Sequence, residues 1–92
     1  MLAEYRWVIT RDLLADLDFP EGTNMNAKGM EGPRNLDQDL KTNGANFSLW
    51  DDDRECYYIG RIYGNYDGTE PLYDFGSPNA GCVHVKINGV WV

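Results

Sequence analysis

The stretch FSLWDDDRECYYIGRIYG, residues 47–64, places three consecutive aspartates between two runs of aromatic and aliphatic residues. Large apolar side chains recur at every second position in both runs, a period typical of β-strands. Asp52 and Asp53 stand where the polar turn of a hairpin is expected. The stretch therefore predicts a β-hairpin whose turn is acidic.

A two-residue turn at these aspartates also predicts the pairing of the hairpin. Leu49 would lie opposite Cys56, and Phe47 would lie opposite Tyr58. Large side chains remain on the other face as well: Trp50, Tyr57 and Ile59. Antiparallel sheets usually show one apolar and one polar face. We therefore expect the second face to be covered by a helix, by a loop or by a partner.

Before the hairpin, EYRWVIT at residues 4–10 predicts a first strand because it is rich in β-branched and aromatic residues. RDLLADL at 11–17 predicts a short helix that Thr10 caps and that carries a leucine stripe. Residues 20–38 are rich in glycine and proline and predict a long loop. Loops of that length tend to be functional or disordered.

After the hairpin, residues 64–81 are rich in turn residues, with one helical turn expected at 71–75. CVHVKI at 82–87 predicts a strand, and Asn88-Gly89 a type I′ turn into a short returning strand. Together these elements predict a single α+β domain over residues 1–92. Its core would be a twisted antiparallel sheet of four to five strands with one short helix.

The charge balance points to basic partners. Fifteen acidic residues against eight basic ones give a formal net charge of −7. Such a chain is repelled by nucleic acid and by anionic lipid, so we expect neither as a direct ligand. Acidity also keeps small proteins soluble, and this simpler explanation stays open.

The N-terminal segment lacks the basic and apolar regions of a signal peptide, and no apolar run is long enough for a membrane span. We therefore expect a cytoplasmic protein, in the host cytoplasm if it is phage-encoded. In that compartment Cys56 and Cys82 are expected to be free thiols, with a disulfide between them as the alternative.

Catalytic and metal-binding interpretations fail on spacing. Contiguous carboxylates at 51–53 differ from the alternating ligands of a calcium loop, and at an exposed turn they would stay solvated. Cys82 and His84 stand two apart on a predicted strand, so they would share a face with parallel side chains that do not converge. No nucleotide-binding or hydrolase motif occurs. We expect no enzyme activity, no cofactor and no metal.

Recognition of a partner remains, and acidic residues beside aromatic ones are the candidates for it. Tyrosine and tryptophan are enriched at protein interfaces, where they supply buried area with a polar group. The predicted partner-binding acids are Asp51, Asp52, Asp53, Glu55, Asp67, Glu70 and Asp74. The predicted aromatic anchors are Trp50, Tyr57 and Tyr66.

The run at 47–64, the opening WVITRD at 7–12 and the NAGC segment at 79–82 resemble short, uncharacterised acidic proteins of bacteriophages and bacterial mobile elements. The resemblance implies a function like that of DNA mimics and anti-CRISPR proteins, which block basic nucleic-acid channels. The expected function is therefore a non-enzymatic inhibitor that docks onto a basic surface of a host defence complex. The alternative is a structural module that forms a homo-oligomer through the apolar second face of the 47–59 hairpin.

Overall fold

The computed structural model describes residues 3–18, 31–33, 35–36 and 44–92. In chain order the strands are β1 (Tyr5–Asp12), β2 (Leu17–Asp18), β3 (Ala45–Trp50), β4 (Cys56–Gly64), β5 (His84–Ile87) and β6 (Val90–Trp91). A π-helical segment (Leu72–Gly76) and a short helix α1 (Ser77–Ala80) lie between β4 and β5. The described strands form one antiparallel sheet in the order β2-β1-β4-β3-β5-β6. The α+β class and the antiparallel sheet are confirmed, with six strands where four to five were predicted.

The predicted first strand is confirmed as β1, which pairs with β4 from Tyr5 opposite Gly64 to Asp12 opposite Tyr58. Its alternation places Trp7 and Ile9 in the core. Val8 points to the other face but is also buried, beside an isolated bridge to Glu31. Most of the predicted loop 20–38 lies outside the described residues.

The helix predicted at 11–17 is wrong, because β1 continues through Asp12 and turns back into β2. Asp12 Oδ1 accepts the backbone N–H groups of Leu14 and Ala15 at 3.0 and 3.1 Å. An aspartate that caps a helix accepts N–H groups at the same offsets, so the same chemistry closes a turn here. Thr10 does not cap a helix, since its hydroxyl donates to the Ile59 carbonyl.

The predicted hairpin exists as β3 and β4, but its register is shifted by two residues. Leu49 lies opposite Tyr58 instead of Cys56, and Phe47 lies opposite Gly60. Asp52 and Asp53 do form the turn, closed by the Arg54 N–H on the Asp51 carbonyl at 3.1 Å. The connection is longer than two residues because Arg54 adds a left-handed step, with φ of 62°.

A bulge beside this turn also changes which way Tyr57 faces. The register shifts between Leu49 and Trp50, and Tyr57 is the extra residue on β4. Tyr57 therefore packs against the core, while Trp50 and Ile59 stay on the outer face. The prediction that all three residues share the outer face is wrong for Tyr57.

The helical region after β4 covers the inner face of the sheet. Leu72 and Phe75 enter the core, and Phe75 meets the rings of Trp7 and Tyr58 at 5.6 and 4.9 Å. The predicted helical turn at 71–75 is confirmed, but helix continues to Ala80. The wider π turn bonds the Ser77 N–H to the Leu72 carbonyl just before a proline, which has no N–H to donate.

The C-terminal hairpin follows the prediction at its turn. Asn88 and Gly89 have φ of 49° and 81°, the left-handed pair that a type I′ turn requires. The strand begins at His84 and not at Cys82, which lies in the core while His84 is exposed. The predicted shared face of Cys82 and His84 is therefore wrong. Cys56 and Cys82 are free thiols, as predicted.

The buried core lies between the inner face of the sheet and the helical region. Its members are Trp7, Ile9, Ala45, Phe47, Leu49, Tyr58, Ile62, Leu72, Phe75, Cys82 and Val85. Within the described part of the chain, no helix is long and apolar enough to cross a membrane.

Candidate interaction surface

The seven predicted acids do not form one surface. Asp51, Asp52, Asp53 and Glu55 lie in the loop that precedes β4, which we call the acidic loop (residues 51–55). Asp67, Glu70 and Asp74 lie around Tyr5, which pairs with the far end of β4. The nine residues of β4 run from the acidic loop to the position opposite Tyr5, a length of about 25 Å at about 3.3 Å per residue.

The second group is engaged in holding the helical region. Asp67 Oδ1 accepts the Thr69 N–H and hydroxyl at 2.9 and 2.7 Å, and the Thr69 N–H holds the pKa of Asp67 below its usual value. The Glu70 carboxylate accepts the backbone N–H groups of Asp67 and Gly68 at 2.9 and 3.0 Å, which closes the turn that precedes the helical region. Asp74 Oδ2 accepts the Tyr5 hydroxyl at 2.8 Å and the Trp7 indole N–H at 3.0 Å. These carboxylates thus have structural partners.

Asp51 has a structural role in the acidic loop. Its side chain is buried, with Oδ1 accepting the Glu55 N–H and Oδ2 accepting the Tyr57 hydroxyl, both at 2.8 Å. The Glu55 N–H, and then the Tyr57 hydroxyl, hold the pKa of Asp51 below its usual value. The hydrogen bond to Asp51 raises the pKa of Tyr57 to about 12. Asp51 therefore fixes the shape of the loop, and we leave it out of the contact surface.

The other acids of the loop are exposed. Asp52, Asp53 and Glu55 project from the loop that Asp51 closes. Asp51, Asp52 and Asp53 each bring one carboxylate oxygen within 4.8 Å of the others. Such a group could hold a cation, but Asp51 already accepts a hydrogen bond on each oxygen, so we assign no metal site to it.

Of the predicted aromatic anchors, two belong to the interior. Tyr57 and Tyr66 both pack against the core, although neither is fully buried. Trp50 lies on the outer face, where its indole N–H donates to Ser48 Oγ at 2.7 Å. The ring centroid of Trp50 lies 5.4 Å from that of Trp91 and 4.7 Å from Lys86 Nζ.

Cationic side chains collect on the outer face, which the sequence did not predict. Neighbouring strands pair so that one row of residues crosses the outer face of the sheet: Arg11, Ile59, Ser48, Lys86 and Trp91. Lys86 Nζ lies 4.4 Å from the Trp91 ring, and Arg54 Cζ lies 5.5 Å from it. Cation–π contacts of this kind attach the basic groups to the sheet. The net acidity is thus unevenly distributed: bases lie on this face and exposed acids at the ends of strands.

A second hairpin lies beside the acidic loop, and its importance was missed in the sequence. We call residues 11–18 the leucine hairpin, because Leu13, Leu14 and Leu17 are all exposed on it. The Leu13 N–H donates to the Tyr57 carbonyl at 2.9 Å, which holds the two hairpins at the same end of the sheet. The helical spacing of these leucines predicted that they would form the packed face of a helix. Their exposure was therefore not expected from the sequence.

The fold and this surface define a small antiparallel α+β domain with an acidic end. Comparisons with protein-family models, with curated proteins and with solved structures find no match to the chain.

Proposed function

We propose that the protein is a non-enzymatic interaction protein that docks the acidic loop onto a basic surface of a partner protein. The proposal is supported by the different roles of the acids within the loop. Asp51 fixes the backbone from inside, and Asp52, Asp53 and Glu55 point outward on the loop it closes. A preorganised acidic loop loses little conformational entropy on binding, so its charges favour association.

The partner that this chemistry fits is a nucleic-acid-binding surface. Along the helix axis, each strand of DNA carries one phosphate charge per about 3.4 Å. Asp52, Asp53 and Glu55 are exposed within four residues of one loop, so they likewise place several negative charges close together. The resemblance to phage proteins makes a host defence complex the concrete target of the proposal, with the protein acting as its inhibitor in the host cytoplasm.

The position of the charges can be tested directly with two double variants, each of which removes two negative charges. The first variant, Asp52→Asn with Asp53→Asn, removes two negative charges from the acidic loop. Exposed Glu4 lies beside the other end of β4, where its backbone carbonyl accepts the Asn65 N–H at 2.7 Å. Glu4→Gln with Asp67→Asn removes the same charge there, and asparagine at position 67 keeps an oxygen that can accept the Thr69 N–H. Any difference in binding between these variants reports the position of the charges and not their sum.

The experiment is affinity capture from bacterial lysate with wild type and both variants, at low and high salt, with duplex DNA as competitor. We expect a partner that wild type and the Glu4/Asp67 variant capture, that the Asp52/Asp53 variant loses, and that DNA displaces. If the Asp52/Asp53 variant recovers the same partners at the same salt, the loop is only a turn and the proposal fails.

A second candidate function is self-association through the outer face. It is favoured by Trp91, which is 43% exposed, and Ile59, which is 36% exposed, in one row of that face. The apolar face predicted for the 47–59 hairpin is narrower than expected, because Tyr57 turns inward. Light scattering tests this candidate: a dimer at micromolar concentration that Trp50→Ala disrupts would favour it.

A further inference from the structure

The leucine hairpin exposes apolar side chains where its fold does not need them. Leu13, Leu14 and Leu17 are 37%, 57% and 51% exposed. Turns are usually built from glycine, asparagine, aspartate and serine. Leu13 and Leu14 lie in the turn at 13–16, where their residue type is not required, and with Leu17 they form the exposed apolar patch of this hairpin.

The backbone under this patch is fixed by local bonds. Asp12 is buried and accepts two N–H groups of the turn. Arg11 donates to Asp16 and Asp18 at 2.6 Å each, and so joins the turn to β2. Rigid apolar groups lose little entropy when a partner covers them, which is the property of an interface anchor.

Carboxylates border the patch on two sides. Asp16 and Asp18 share the single guanidinium of Arg11, so one negative charge remains on that side. The acidic loop lies on the other side, next to the Leu13 contact with β4. An apolar centre between two acidic borders is complementary to an apolar stripe with lysine or arginine along both sides.

We propose that the leucine hairpin is the apolar anchor of the docking surface and that it receives a basic amphipathic helix of the partner. This inference rests on the proposed function and specifies the partner's shape and chemistry. Such a helix places leucine-like side chains on one stripe and cations on its flanks. The leucines set the lifetime of the complex, and the acids set its rate of formation.

The test uses defined peptides in place of the unknown partner. One probe is a labelled amphipathic leucine/lysine peptide of about 15 residues, enough for four helical turns. The second has the same composition in a scrambled order without an apolar face. Leu14→Ser with Leu17→Ser removes the anchor. Val90→Ser with Val92→Ser is the matched control, since these valines are 68% and 59% exposed on the C-terminal hairpin.

Fluorescence anisotropy should show wild type binding the amphipathic peptide about ten-fold or more tighter than the scrambled one. The leucine variant should bind both peptides at the scrambled level, and the valine control should match wild type. Equal affinity of wild type and the leucine variant for the amphipathic peptide would overturn the inference while leaving the acidic docking intact.

Two further outcomes separate the alternatives. Binding of neither peptide by wild type, even at low salt, would overturn the inference, and the lysate capture with the Asp52/Asp53 variant would then decide the proposed function by itself. A wild-type dimer that becomes monomeric in the leucine variant would show that a second copy covers the patch. That result would overturn the helix as its occupant.

Discussion

Asp74 is the predicted partner-binding residue whose structural role can be measured most directly. Its Oδ2 accepts both the Tyr5 hydroxyl and the Trp7 indole N–H, and so ties the π-helical segment to β1. Trp7 is buried, so its N–H has no easy access to water once this acceptor is removed. We predict that Asp74→Ala destabilises the fold and that Asp74→Asn largely does not.

The magnitude follows from the two bonds. An unsatisfied buried donor costs about 1–3 kcal/mol, and the more exposed bond from Tyr5 adds about 1 kcal/mol. Asp74→Ala should therefore lower the free energy of unfolding by about 2–4 kcal/mol, and the Tm by about 10–25 °C. Because one oxygen accepts both bonds, an asparagine carbonyl can replace it. The loss should then stay below about 1.5 kcal/mol, as charge-assisted bonds become neutral ones.

Urea denaturation followed by tryptophan fluorescence measures both variants against wild type, with the slope checked for two-state behaviour. The ranking is the decisive result: alanine well below asparagine, and asparagine near wild type. If alanine changes stability by less than about 0.5 kcal/mol, the size expected of an ordinary surface substitution, the bonds do not hold the fold. If asparagine is as damaging as alanine, the negative charge matters more than the acceptor.

Three other predictions concern the fold. Gly60→Ala should cost about 3 kcal/mol in urea denaturation, because its Cβ would lie 2.2 Å from the Val8 carbonyl oxygen; near-wild-type stability would contradict that close approach. The lowered pKa of Asp51 means that its stabilisation is complete above its unfolded pKa, near 3.8, and is lost as pH falls through the folded value. Asp51→Asn should therefore make the free energy of unfolding depend less on pH at the acid end. A pH dependence parallel to that of wild type would refute the structural role of Asp51. Burial raises the pKa of Cys82 to about 11, so iodoacetamide should modify Cys56 before Cys82. Mass spectrometry measures the two modification rates, and equal rates would refute the burial of Cys82.

The sheet could be predicted from sequence because its signals are local. The period-two pattern of 47–64 and the Asn88-Gly89 turn both specify strands without knowledge of the rest of the chain. Register was harder, since it depends on one residue at the turn. Arg54 adopts a left-handed conformation that is usually occupied by glycine or asparagine, so its residue type gives no indication of it in the sequence.

The failed helix has a different cause. Leu13, Leu14 and Leu17 have helical spacing, and Asp12 is well placed as an early acidic residue. A helix of one or two turns is marginal by itself, whereas continuing β1 pairs Asp12 with Tyr58 in the sheet. Tertiary pairing outweighed local propensity, and the leucines that would have packed inward were left on the surface.

The acids show why composition alone could not locate the surface. An aspartate that closes a turn and one that meets a partner are the same letter, and contiguous positions do not separate them. The structure separates them by hydrogen bonding: Asp51, Asp67, Glu70 and Asp74 accept bonds from this chain's own donors. Asp52, Asp53 and Glu55 are exposed together on one loop, beside three exposed leucines held by the neighbouring strand. Charge without an apolar anchor gives fast but short-lived contacts, so the proposed docking surface needs both the acids and the leucines.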